Sequence, residues 1–182
     1  MSDFSSFERF LARVLARFPH LKKIAKYLYT RISFVRHRNK RNVYLNMPVE
    51  AILEDGQSFF GYYDKSPTNN DGLVLTHISK HSTKSKPSAN SPIKVALYSK
   101  NLNEKLWEDD TSAYNWQQGA RLHWLTNDLF IYNFFNQSCK EYNSKVICSK
   151  TLKVVKIFQK PVQDSFKDKY ILSINYERLY SH

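Results

Sequence analysis

Two short runs in this 182-residue chain place ring faces beside charged and amide groups. In one, Tyr62 and Tyr63 precede Asp64 and Lys65; in the other, Trp116 precedes Gln117, Gln118 and Arg121. Aromatic faces can stack on a sugar ring, while the polar groups can hydrogen-bond hydroxyls or pair with a carboxylate. A structural reading competes: the rings fill space between packed sheets, and the Asp and Lys pin a turn. The six histidines fall at 20, 37, 77, 81, 123 and 182, with no zincin motif and no Cys-x-x-Cys beside them. His77, His81 and His123 could meet only through tertiary folding, so no metal site is expected. The chain has no Gly-rich phosphate loop, nucleophile elbow or kinase signature, and no cofactor is expected.

The elements that carry these groups follow from charge and periodicity. The net charge is +12, of which residues 1–43 hold +9, eleven Lys or Arg against Asp3 and Glu8. From Phe4 to Phe18 apolar residues recur every three or four positions, with Arg9, Arg13 and Arg17 on another face. Ser5 and Glu8 have capping-box spacing, and Pro19 breaks or restarts the helix. Leu21, Ile24, Ala25, Leu28, Ile32 and Val35 continue a stripe opposite Lys22, Lys23 and Lys26. Residues 1–43 are therefore read as a basic amphipathic helical arm. Residues 4–41 could lie on an anionic membrane surface, or the stripe could pack on the protein's own core. No recognised signature accompanies the charge to support nucleic acid. No apolar stretch reaches the ~20 residues of a spanning helix, arginines interrupt every candidate signal sequence, and there are only two cysteines. The expected location is cytoplasmic, with peripheral attachment at the inner membrane through the arm.

Beyond Tyr44 the period shortens. Strand candidates fall at 59–63, 73–78, 93–99, 121–125, 129–134, 145–149, 152–158 and 170–175, separated by turn formers such as Asn69-Asn70-Asp71-Gly72 and Thr126-Asn127-Asp128. Residues 80–92, rich in Ser, Lys and Pro, read as an exposed loop. Asn143-Ser144 reads as a two-residue hairpin turn, which would set the thiols of Cys139 and Cys148 opposite each other across the strands. A faint repeat pairs Gly61 to Lys65, 73–78 and 95–99 with Asn115 to Gly119, 129–134 and 146–149, at a period near ~50 residues, the length of a four-stranded propeller blade. The fold expected is mainly β: residues 44–182 form two to three blades of an incomplete β-propeller behind an N-terminal amphipathic helical arm. Propellers close with ~4–8 blades, so a truncated chain is expected.

The segments Phe59 to Pro67, Tyr114 to Leu125 and Ser173 to Leu179 together resemble bacterial WD40-like propeller proteins of surface-polysaccharide gene clusters, neighbours of glycosyltransferases. The first segment also resembles oligogalacturonate-lyase-type propellers. The resemblance covers about residues 44–182 and lacks the later blades. It implies a non-catalytic or vestigial module of polysaccharide biosynthesis. Carbohydrate or polysaccharide-synthesis proteins would be its partners, and Tyr62, Tyr63, Asp64, Lys65, Trp116, Gln117, Gln118 and Arg121 would be its ligand-binding residues. The alternative is a lyase or glycosyltransferase-like enzyme acting on acidic glycans, with His77 or His123 as base and Arg121 as carboxylate clamp.

Overall fold

The structure, a computed structural model, describes residues 19–37, 55–61, 63–166, 169–176 and 178. The chain divides into two units, Met1–Val49 and Glu50–His182.

In the first unit, helix α1 runs from Pro19 to His37. Proline suits the first helical position, where its fixed φ fits and its missing N–H is not needed. Arg36 and His37 end the helix, where positive charge favours the negative pole of its dipole. The expected stripe is present: Leu21, Ile24, Leu28, Ile32 and Val35 are all more than half exposed, as are Tyr27 and Phe34. No helix among the described residues is long and apolar enough to cross a membrane. The expected earlier helical segment and the basic run after His37 lie outside the described residues.

The second unit is mainly β, with three antiparallel sheets. Sheet 1 is a meander of β1 (Gln57–Phe59), β2 (Val74–Ser79), β3 (Ile93–Tyr98) and β4 (Lys105–Thr111). Sheet 2 repeats that order with β5 (His123–Trp124), β6 (Leu129–Asn136), β7 (Glu141–Cys148) and β8 (Val154–Phe158). Sheet 3 pairs β9 (Val162–Phe166) with β10 (Tyr170–Ser173).

Alternation along β6 sorts its side chains to two faces. Phe130 and Tyr132 join Leu75, Val95 and Leu97 of sheet 1 in one apolar cluster. Ile131, facing the other way, joins Val146 and Val162 of β9. Sheet 2 thus contributes to the core on both faces, which is why β6 reads as a nearly unbroken apolar run. Asn133 follows the Ile131 side, and its amide bonds the Val162 backbone in both directions at 2.8 Å. The Asn133 carbonyl also accepts the Thr111 hydroxyl at 2.7 Å, so one residue ties β4, β6 and β9 together.

The strand pattern in the sequence missed β4 and β9, both of which are rich in polar residues. In β4 two of the acids are paired by neighbours: Glu108 with Lys94 and Lys105, and Asp109 with Lys145, while the Tyr132 hydroxyl donates to Asp109. The hairpin expected at Asn143-Ser144 is corrected. Both residues are buried inside β7, opposite Phe134 and Asn133, and the turn lies at 137–140. Ser144 is tolerated there because its hydroxyl lies 2.8 Å from the Lys160 carbonyl and 3.0 Å from the Asn133 side chain. Cys139 is therefore in the turn, while Cys148 pairs with Leu129 at the far end of β7. The repeat also needs adjustment. Residues 73–78 and 129–134 do match as second strands and 95–99 and 146–149 as third strands, but Gly61 to Lys65 follows β1 whereas Asn115 to Gly119 precedes β5.

Candidate functional site

The loop leaving β1 and the loop approaching β5 pack back to back. Asn115 closes the second into a ring: it exchanges backbone hydrogen bonds with Gly119, and its side-chain oxygen accepts the Gln117 and Gln118 amides. Gly61, at φ +121°, lies where a Cβ would stand 2.9 Å from the Gln118 carbonyl oxygen. Gly119, at φ +60°, presses on His77, and a Cβ there would stand 2.2 Å from the imidazole Cε1. Only glycine combines that backbone conformation with that approach.

His77 joins the two loops. Its Nε2 accepts the Ala120 N–H at 2.9 Å, so the ring proton sits on Nδ1, which donates to the Phe59 carbonyl at 3.2 Å. Phe59 stacks on the imidazole with ring centres 4.9 Å apart. Burial outweighs the backbone hydrogen bonds and holds the His77 pKa down at about 4. His123 is arranged in the same way. Its Nδ1–H donates to the Arg121 carbonyl at 2.7 Å, and its Nε2 accepts the Ser165 hydroxyl at 2.8 Å. Burial, aided by the Lys65 and Arg121 charges, again places the pKa at about 4.

Around His123 the first strands of all three sheets, or the loops beside them, contribute charge. Lys65 from the β1 loop pairs with Asp164 of β9 at 2.5 Å, and this holds the Asp164 carboxyl below the usual carboxylate range. Asp64 approaches Arg121 at 3.6 Å. The Arg121 side chain is only 7% exposed, its Nε has no hydrogen-bond partner, and its backbone lies at φ +54°. A buried guanidinium with a donor unmet, on a left-handed backbone, carries an energetic cost that the surrounding packing must offset.

Of the residues singled out from sequence, the structure gathers Asp64, Lys65, Gln118, Arg121 and His123 around one cleft. Tyr62 lies outside the described residues. Tyr63 is 88% exposed. Trp116 lies against Phe59 and Tyr114 and donates its indole N–H to the Ser85 carbonyl at 2.6 Å, so the long 80–92 loop is anchored on it. Gln117 is exposed and Gln118 half-buried. His77 lies behind the cleft wall with both nitrogens engaged. Sequence reasoning missed Asp164 and Ser165, which sit on a strand whose polar pattern hides it. It also missed Asn133, whose signal was present as one amide between Tyr132 and Phe134 in an apolar run. Comparison with protein-family models, curated proteins and solved structures finds no match.

Proposed function

We propose that the second unit is an incomplete WD40-like propeller module that binds carbohydrate in bacterial cell-surface polysaccharide biosynthesis. Two consecutive four-stranded meanders, each covering an apolar face of the next sheet, support the blade reading. One observation carries the binding reading: side chains from three successive sheets meet around Arg121 and His123 through the Asp64–Arg121, Lys65–Asp164 and His123–Ser165 contacts. Propeller ligands bind where such first strands converge; the cleft beside them, about 10 Å³, has room for a single hydroxyl-sized group, so a sugar would lie across it with its hydroxyls toward the fixed donors and acceptors. In this reading the arm holds the module at an anionic inner-membrane surface, its arginines and lysines toward the headgroups and its exposed apolar stripe toward the acyl chains.

Titration of the full chain with a panel of neutral and acidic oligosaccharides, followed by NMR, tests the binding. Shifts grouped around Arg121 and His123 that weaken in Lys65→Ala are expected; silence across the panel overturns the reading. The arm is tested by co-sedimentation with vesicles containing anionic lipid. Binding that falls as salt rises is expected, and equal binding to neutral vesicles counts against it.

A further inference from the structure

Arg121 also borders a cavity of about 130 Å³, shared with Tyr114, Asn115, Asn133, Tyr142 and Tyr176, that Asp64 does not line. We propose that this cavity is an oxyanion subsite in which Arg121 holds a carboxylate or phosphate group. The proposal extends the ligand-binding reading above and rests on it for the body of the ligand, although the anion itself can be tested without sugar.

Three observations carry it. First, Arg121 is under-compensated. A guanidinium offers five N–H donors and stays charged at any accessible pH. Its Nε is buried beyond the reach of solvent without a partner, so an anion in the cavity must take the terminal amino groups, and there the ion-pair partner Asp64 approaches Nη2 only to 3.6 Å, beyond hydrogen-bond length. A buried charge in that state is costly unless a further anion completes it. Second, the described residues lining the cavity include no carboxylate, so Arg121 sets its sign. The field of Arg121 also reaches the Tyr176 hydroxyl, where it acts against the upward push of burial on that phenol. Third, the volume limits the ligand. One water molecule needs about 10–15 Å³ of such space, so the cavity has room for an oxyanion with the atoms that carry it. Ala113 and Pro161 join Tyr114, Tyr142 and Tyr176 in the wall. The Tyr114 and Tyr176 hydroxyls are turned away to donate to the Ser91 carbonyl and the Gln163 side chain.

The experiment uses the full chain with inorganic phosphate and with acetate, against sodium chloride at matched ionic strength, read by calorimetric titration and by Tm. Saturable binding of one or both anions is expected, with a rise in Tm that follows mass action. If phosphate alone saturates, the ligand carries a phosphate ester; if acetate alone saturates, it carries a carboxylate. Arg121→Gln should weaken binding by about tenfold or more, and Arg121→Lys, which keeps the charge but loses the planar fork, should weaken it less. Asp64→Asn removes the internal competitor and should tighten binding severalfold, an effect that a purely structural Arg–Asp pair would not produce. The inference is overturned if neither anion exceeds the chloride effect, or if Arg121→Gln folds and binds as before. Oligosaccharide binding without any anion response would remove the subsite and leave the carbohydrate reading. Anion binding with no sugar bound would do the reverse.

Discussion

Gly119 is the residue whose replacement tests the site's construction most directly. Adding one methyl drives it into the His77 ring on a backbone at φ +60°, and neither the buried imidazole nor the Asn115 ring has room to yield. Gly119→Ala should destabilise the fold by about 3 kcal/mol or more, read as a lowered denaturation midpoint at unchanged m-value. The two buried histidines set the response to acid. Both fold as neutral rings with pKa near 4, against 6.5 in the unfolded chain. Between those values the unfolded state binds more protons, so stability is full above about pH 6.5 and is lost as pH falls toward 4. Each contributes on the order of 3 kcal/mol across that window. Denaturation at pH 7 and pH 5 should show the loss, and His77→Gln should flatten the slope. At this scale the sequence marked His77, His123 and Arg121 as residues of interest. Their partners were hidden, because Phe59, Ala120 and Ser165 reach them only after the sheets have packed.

Among the elements, the junction between β6 and β9 depends on one amide. Replacing Asn133 with Ala strands the N–H and C=O of Val162, both buried, and removes a partner of Ser144. Each buried group left unmet costs about 1–3 kcal/mol, so Asn133→Ala should cost about 3 kcal/mol or more. Hydrogen exchange at Val162 should rise beyond what global destabilisation explains. Strands with apolar alternation, such as β2, β3 and β6, were legible from period alone. β4 was not, because its acids look like a loop until Lys94, Lys105 and Lys145 are placed beside them. Asn143-Ser144 misled for the opposite reason. Residue types that favour turns can stay inside a strand when buried partners satisfy them, and here the turn formed at 137–140, with Lys140 in the left-handed region.

For the second unit as a whole, the central position of sheet 2 makes its two faces the test of cooperativity. Phe130 packs between Trp107 and Trp124 in the cluster shared with sheet 1. Phe130→Ala should cost about 3–5 kcal/mol. Far-ultraviolet and tryptophan signals should still fall together if sheets 1 and 2 melt as one; separated transitions would show two independent parts. A mainly β body behind a helix could be read from the change of period near Tyr44, because alternation and helical spacing are local properties. The division into sheets could be read only in part, since the repeated motifs proved to sit on opposite sides of β1 and β5. The pairing scheme itself has a temporal consequence. In the two meanders every strand pairs within its sheet only with its neighbours in sequence, so each hairpin can close once its own residues have left the ribosome, with no wait for distant segments. Synthesis and folding can therefore keep pace, and a pause in translation after Cys148 would leave only one strand of sheet 2 to add.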